Sequence, residues 1–249
     1  MPDPRVSENR EPGTNEWFLN GQIFHDWRAG RPRTLWLHGA MGCGKTWLCT
    51  TIDEKLRLEA NAADRVATCY FSNAPSTTNA RSVTCSLLSQ LGMGKKIHPA
   101  IRALQAELET TPLVHAPTSD QLEETLLAVL EPGDNEGETI ILVDALDEIP
   151  FGTCRSQRAS IARLLNSLAK SQAPGLRMLM TSRPHGDLLQ SFTISHHVWK
   201  AYPIPDDKVQ ADIELYVRAA VENSAEEWKI DDTSQARLIA SLAGKNQTM

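Results

Sequence analysis

A glycine-rich stretch that directly follows an apolar run constrains this chain more than any other feature. Residues 35–48 read LWLHGAMGCGKTWL, and Gly39, Gly44, Lys45 and Thr46 fill the pattern G-x-x-x-x-G-K-[ST] without a mismatch. Glycines let a backbone curl until successive N–H groups point at one phosphate, and the dipole of the helix that follows adds positive charge there. The stretch therefore predicts a nucleoside-triphosphate site.

The context of the pattern supports this interpretation, because a phosphate loop should follow a strand and begin a helix. The apolar run 34–38 predicts a buried strand, and the apolar spacing over 45–60 predicts a helix. Lys45 is expected to reach the β- and γ-phosphates, and the Thr46 hydroxyl to bind Mg²⁺. The residues predicted to contact the nucleotide are Gly39, Ala40, Met41, Gly42, Cys43, Gly44, Lys45, Thr46 and Trp47.

A second element supplies carboxylates. Residues 139–144 read TIILVD, which is typical of a central parallel strand buried on both faces. Asp144 ends this strand and can hold Mg²⁺ through water, opposite Thr46, as in a Walker B element. Asp147 and Glu148 follow and can orient or deprotonate an attacking water. A solvated acidic turn is the alternative, but so apolar a preceding strand favours the catalytic interpretation.

A third element adds a cation. Residues 176–181 read LRMLMT and predict another buried strand, and Ser182, Arg183 and Pro184 follow it. An arginine at the carboxyl end of a neighbouring strand would lie near the γ-phosphate and could sense its presence. A surface ion pair is the alternative for Arg183.

The other segments predict alternating strands and helices. Strands are predicted over 64–71 and 193–200, and helices over 80–91, 97–109, 119–131, 206–221 and 233–242. Residues 16–29 predict a short helix with an interruption at Gly21. Its aromatic residues allow two interpretations, core packing or, for residues 13–17, a wall of the site for the base.

Composition excludes several functions. The net charge of −6 leaves no basic footprint for nucleic acid, and no apolar run is long enough for a membrane span. The five cysteines are scattered, without a C-x-x-C pair, and the polar N-terminus lacks the features of a targeting peptide. We therefore expect a cytoplasmic protein whose partner is ATP or GTP with Mg²⁺, and neither nucleic acid nor membrane.

Taken in order, these motifs resemble a known family. The motifs are GTNEWFL at 13–19, the phosphate loop at 39–46, DALDE at 144–148, TSRP at 181–184, and Asp212-Ile213 with Tyr216-Val217. The chain resembles the NACHT nucleotide-binding domain of STAND-class signalling NTPases. It is most similar to the fungal NOD-like receptor type, whose NACHT domain is similar to the nephrocystin-3-like N-terminal domain.

The resemblance implies an α/β P-loop NTPase fold, a three-layer sandwich with a parallel sheet of about five strands in the order 5-1-4-3-2 and helices on both faces. It implies that Asp144 binds Mg²⁺ with Thr46, that Asp147 and Glu148 are the hydrolytic acids, and that Arg183 is the sensor. It also implies self-association through the NTPase domain. Ala145 stands where glycine is common in the family.

The expected domains are a flexible lead-in over 1–15, the NACHT core over 16–200, and the start of a truncated helical subdomain over 201–249. The family's winged-helix region, N-terminal effector domain and C-terminal repeats are not found in this sequence. Three functions remain open. The first is a switch with slow hydrolysis, as in an innate-immunity or incompatibility-type receptor, and the second is a nucleotide-binding interaction module without hydrolysis. The third, a small-molecule kinase, would need a lid arginine cluster and an acceptor pocket, and neither is evident.

Overall fold

Five parallel strands form the central sheet of the part of the chain that the structure describes. The computed structural model describes residues 10–71, 79–93, 96–110, 116–131, 137–149, 155–171, 173–193, 198–228 and 231–244. The strands are β1 (Thr34–His38), β2 (Arg65–Tyr70), β3 (Thr139–Asp144), β4 (Leu176–Ser182) and β5 (Lys200–Pro203). Their order is β2-β3-β4-β1-β5 and every pairing is parallel. This confirms the predicted order 5-1-4-3-2 and the α/β P-loop NTPase fold.

Helices precede, connect and follow the strands. They are α1 (Glu16–Leu19), α2 (Gln22–Arg28), α3 (Lys45–Glu59), α4 (Ala80–Gly92), α5 (Pro99–Thr110), α6 (Ser119–Leu130), α7 (Arg155–Lys170), α8 (Gly186–Thr193), α9 (Asp206–Trp228) and α10 (Asp232–Gly244). Some ends follow from local chemistry. Thr118 begins α6 with a capping box, in which its hydroxyl accepts from the Gln121 N–H and the Gln121 side chain accepts from the Thr118 N–H.

Alternating strand residues divide the core into two layers. Leu35 and Leu37 of β1 pack with α1, α2 and α3 on one face of the sheet. Trp36 between them points to the opposite face, where α4, α6, α7 and α8 pack. Because every β1 residue from Thr34 to Leu37 is buried, the strand reads as a continuous apolar run, as the sequence indicated. The predicted three-layer sandwich is present.

The predicted strand over 193–200 is wrong. Residue 193 ends helix α8, which the sequence analysis missed, and the strand that joins the sheet is Lys200–Pro203; residues 194–197 lie outside the described residues. Val198 and Trp199 precede the strand, and Trp199 packs its ring against Phe192 of α8 at 5.5 Å between centroids. The true strand is an edge strand with mostly exposed side chains, so it lacks an apolar run and accommodates Pro203 at its end.

The expected domain division stays a prediction. Residues 1–9 and 245–249 lie outside the described residues, as do 229–230. Within the described ranges, residues 10–15 lie beside α1 and contact α3 and α9, and the sheet continues through residue 203. No helix in these ranges is both long enough and apolar enough to cross a membrane.

Candidate functional site

The phosphate loop joins β1 to α3 at the carboxyl edge of the sheet. Gly42 and Gly44 have φ angles of 78° and 77°, in the left-handed region that glycine adopts without steric cost. This backbone turns the chain from the strand into the first residue of α3, Lys45. The structure therefore shows, at these two glycines, the sharply turned backbone that the sequence predicts.

Lys45 folds back over its own loop. Its ammonium group donates to the carbonyl oxygens of Gly39 at 3.1 Å and Ala40 at 2.7 Å. Met41 at the tip of the loop is 76% exposed. The cation thus lies inside the loop, at the N-terminus of α3, where the helix dipole also favours an anion.

Asp144 lies at the end of β3, facing the start of α3. Burial raises the pKa of its carboxyl group, although hydrogen bonds from the hydroxyls of Thr181 and Thr46 and the charge of Lys45 act to lower it. Thr181 Oγ1 donates to Asp144 Oδ1 at 2.6 Å and accepts from the Ala145 N–H at 3.1 Å. The Thr181 hydroxyl therefore fixes both the carboxylate and the turn that follows it.

Ala145 has a left-handed backbone, with φ 55° and ψ 43°. This conformation explains why glycine is suited to the position, because a Cβ costs roughly 1–2 kcal/mol there. The turn leads into a 3₁₀ segment, Leu146–Glu148, that carries both predicted hydrolytic acids.

Asp147 and Arg183 form an ion pair across the ends of β3 and β4. Asp147 Oδ1 accepts from the Arg183 N–H at 2.9 Å, and Asp147 Oδ2 accepts from the Arg183 guanidinium. Burial would raise the pKa of Asp147, but the hydrogen bonds and charge of Arg183 outweigh it and hold the pKa below its ordinary value. The other end of the guanidinium reaches Met41 Sδ of the phosphate loop at 3.7 Å. Arg183 therefore spans the distance between the loop and the acids.

A buried arginine supports the acidic turn from behind. Arg158 of α7 is 4% exposed. Its guanidinium donates to the carbonyl oxygens of Asp147, at 2.8 Å, and Ile149, and pairs with Asp187 in the first turn of α8 at 3.0 Å. These bonds hold the backbone on both sides of Glu148.

A cavity of about 290 Å³ opens beside the phosphate loop. Three parts of the chain form its walls: the segment before and within α1, the loop with the first turn of α3, and the start of α9 with the residue after β5. Its lining residues are Glu11, Thr14, Asn15, Trp17, Gly42, Cys43, Gly44, Trp47, Leu48, Ile204, Val209, Asp212, Ile213 and Tyr216. Aromatic side chains from all three walls give it the mixed apolar and polar character of a small-molecule site.

Asp212 of α9 joins two of these walls. Its carboxylate accepts from the Asn15 N–H at 3.1 Å and from the Trp17 indole N–H at 3.0 Å. Burial raises the pKa of Asp212, and these two hydrogen bonds partly counter the effect.

The structure brings every residue of the sequence-predicted site to one edge of the sheet. The loop, Asp144, the acidic turn and Arg183 all follow the carboxyl ends of β1, β3 and β4, which are neighbours. Sequence reasoning gave no role to the hydroxyl of Thr181 or to Arg158, and it found Asp212 only within a resemblance. Their partners lie on other elements, between 9 and 197 positions away in sequence, so no local pattern marks them.

The donor atoms at this edge suit Mg²⁺. Thr46 and Asp144 supply a hydroxyl and a carboxylate, which are hard oxygen ligands, and the Thr46 hydroxyl acts to lower the pKa of the Asp144 carboxyl. Among the described residues, no group of three or more histidine, cysteine, aspartate or glutamate side chains could hold a metal ion. A Mg²⁺ ion that is bound to phosphate oxygens and waters needs only one or two ligands from the protein.

Comparison with solved structures finds similar folds at low identity. The Aeropyrum pernix ORC2 protein (ADPNP-ADP complexes) is 14% identical with a TM-score of 0.49, and the match covers 90% of this chain and 56% of that chain. Cdc6p from Pyrobaculum aerophilum is 13% identical with a TM-score of 0.46, covering 88% and 58%. C. elegans PCH-2 is 14% identical with a TM-score of 0.45, covering 89% and 51%. This chain thus spans little more than half the length of each of these proteins.

Comparison with sequence families is more specific. No curated protein matches this chain significantly. The model of the family described as nephrocystin 3, N-terminal, matches residues 13–183, which include the segment before α1, the phosphate loop, the acidic turn and Arg183. Because this match covers well over half of the chain, the protein belongs to the nephrocystin 3, N-terminal family.

Proposed function

We propose that this chain binds a nucleoside triphosphate, ATP or GTP, with Mg²⁺ at residues 39–47 and hydrolyses it slowly as a conformational switch. The observation that carries the proposal is the convergence of the Lys45 ammonium, the Asp144 carboxylate and the Asp147–Arg183 pair at one edge of the sheet, beside a cavity of about 290 Å³. Each of these groups serves a different part of a nucleotide.

The phosphates would bind in the loop. Lys45 would exchange its bonds to the carbonyls of Gly39 and Ala40 for bonds to phosphate oxygens, while the N–H groups of the loop and of α3 point at the same anion. Thr46 and Asp144 would hold Mg²⁺, which supplies charge neutralisation at the phosphate oxygens. Since Asp144 binds a cation only when ionised, Mg²⁺ binding would itself lower the raised pKa of this carboxyl.

The nucleoside would lie in the cavity. Trp17, Trp47 and Tyr216 provide flat apolar surface from its three walls, and the cavity begins at Gly42 and Gly44 of the loop. This arrangement supports the interpretation of residues 13–17 as a wall of the base site. The other interpretation, core packing, also applies to residues 16–29, since Phe18, Phe24 and Trp27 of α1 and α2 are buried.

Hydrolysis would fall to Glu148 and the sensor pair. Because both oxygens of Asp147 accept hydrogen bonds from Arg183, Asp147 acts here as the anchor of the sensor, and Glu148 is the better candidate to orient the attacking water. A γ-phosphate would compete with Asp147 for the Arg183 guanidinium. The ion pair would then differ between the triphosphate and diphosphate states, which is what a switch requires.

The second candidate function is a nucleotide-binding interaction module without hydrolysis. The same ion pair favours it, because it removes one of the two predicted hydrolytic acids from the reaction. In either case we propose a NACHT-type domain of a cytoplasmic receptor, of the fungal NOD-like kind, that self-associates through the NTPase core and binds neither nucleic acid nor membrane.

The test is a titration of the purified chain with Mg-ATP and Mg-GTP that follows binding and phosphate release together. Binding with slow release that Glu148→Gln abolishes supports the switch. Binding without release supports the interaction module. If neither nucleotide binds, the proposed function is wrong.

A further inference from the structure

The walls of the cavity are connected by a chain of hydrogen bonds in which Asp212 holds two residues of the N-terminal wall. This residue is on α9, almost two hundred positions after the segment that it holds. Asp212 Oδ2 accepts from both the Asn15 N–H at 3.1 Å and the Trp17 indole N–H at 3.0 Å, and Oδ1 lies 3.2 Å from the same Asn15 N–H. The carboxylate therefore holds the backbone and one aromatic side chain of the N-terminal wall.

Asn15 continues the connection to the phosphate-loop helix. Its side-chain amide donates to Thr51 Oγ1 at 3.1 Å, and the Thr51 hydroxyl donates to the Trp47 carbonyl at 2.8 Å. Asn15 is 7% exposed and adopts a left-handed backbone with φ 65°, a conformation that asparagine tolerates better than most residues. The hydrogen bonds thus run from α9 through Asn15 to Trp47, which itself lines the cavity.

We propose that Asp212 is a positioning residue for the nucleoside, closing the cavity by holding the N-terminal wall against α9. This inference rests on the proposed function. The Asp212 oxygens are turned to protein donors, so the residue fixes Trp17 and Asn15 in place rather than reading the base. The groups proposed to bind the phosphates, Lys45 and the loop N–H groups, are not among the hydrogen-bond partners of Asp212, which are Asn15 and Trp17. Asp212 should therefore affect affinity for a nucleotide and not affinity for its phosphates alone.

This separation defines the experiment. Affinities of the full chain and its variants are measured for Mg-ATP, Mg-GTP and Mg-tripolyphosphate, which has the phosphates and no nucleoside. We expect Asp212→Ala to weaken binding of the better nucleotide roughly tenfold, about the value of one net hydrogen bond, and to change tripolyphosphate affinity less than twofold. Asp212→Asn keeps one acceptor oxygen, so its nucleotide affinity should lie between those of wild type and Asp212→Ala.

The control is Glu214→Gln on the same helix, because Glu214 is exposed and the bond that the structure gives its side chain comes from Gln210 of that helix. It should leave all three affinities unchanged. Unchanged nucleotide affinity in Asp212→Ala would overturn the proposal, and so would an equal loss for nucleotide and tripolyphosphate, which indicates a disturbed loop. If Asp212→Ala does not fold, Asp212→Asn decides by the same criteria.

The affinities of the wild-type protein distinguish a failure of the role proposed for Asp212 from a failure of the proposed nucleotide binding. Nucleotide binding that is no tighter than tripolyphosphate binding would overturn the role of Asp212 and leave the phosphate loop in place. Failure to bind any of the three ligands would overturn the proposed function itself.

Discussion

Replacing Thr181 by valine should destabilise the protein far more than the loss of one hydroxyl suggests. Thr181 is fully buried, and its hydroxyl both donates to Asp144 and accepts from the Ala145 N–H. The substitution removes a hydrogen bond to a charged group, typically about 1.5–3 kcal/mol, and leaves a buried N–H unpaired at about 1–3 kcal/mol. We expect the free energy of unfolding to fall by about 3–5 kcal/mol.

The matched control is Thr84→Val in α4. Thr84 is 3% exposed, and its hydroxyl donates to the Ala80 carbonyl of its own helix at 2.9 Å. That carbonyl remains satisfied within the helix, so the expected cost is about 1 kcal/mol or less. Urea unfolding followed by tryptophan fluorescence measures both variants. A cost for Thr181→Val no greater than that of the control would refute the reasoning.

The same variant has a pH signature. The pKa of Asp144 in the folded protein is raised above its ordinary 3.8, so ionising this group weakens the fold as the pH rises between the two values. The Thr181 hydroxyl partly relieves that penalty by stabilising the charged form. The difference in the free energy of unfolding between wild type and Thr181→Val should therefore be largest above the pKa of Asp144 in the folded protein. It should become smaller as the pH falls below that pKa. A deficit that is constant with pH would show that the hydroxyl does not act on the carboxylate.

Three further substitutions test other parts of the site. Lys45→Ala should weaken Mg-triphosphate binding by about 2–3 kcal/mol, because the ammonium group that would bind the phosphate oxygens is lost. Lys55→Ala, which removes a lysine that pairs with Glu59 further along the same helix, should not weaken it, and equal affinities of Lys45→Ala and wild type by calorimetry would contradict the site. Arg183→Ala should leave triphosphate binding within about threefold but reduce the ratio of triphosphate to diphosphate affinity, and an unchanged ratio would make the residue a surface ion pair. Ala145→Val should cost about 2 kcal/mol or more in urea unfolding, since a β-branched residue fits the left-handed region poorly, whereas Ala145→Gly should stay within about 1 kcal/mol of wild type.

The sequence predicted the parts of the site whose chemistry is local. A phosphate loop needs glycines at fixed spacing between a strand and a helix, and Gly42 and Gly44 have the positive φ angles that explain them. The buried strand ending at Asp144 was recognisable because both of its faces are covered by helices. The sheet order followed from the resemblance, and the structure confirms it.

The remaining features depend on contacts that no local pattern records. Arg158 reads as an ordinary polar position on a helix, although its guanidinium is buried and holds the acidic turn. The last strand, Lys200–Pro203, was misplaced because an edge strand that is mostly exposed has no apolar periodicity, while the preceding apolar residues pack against α8. Tertiary burial, rather than β-propensity, decided that region.

The boundary of the family match has a practical consequence for protein production. The matched region ends at residue 183, yet one wall of the cavity, from Ile204 to Tyr216, lies beyond it. A protein trimmed at the family boundary would retain the phosphate loop, the acidic turn and Arg183. It would also lack the edge strand that pairs with β1 and leave the indole of Trp17 without its acceptor. Such a fragment would lose the motif at 212–217, and a nucleoside bound in the proposed site would face solvent on one side.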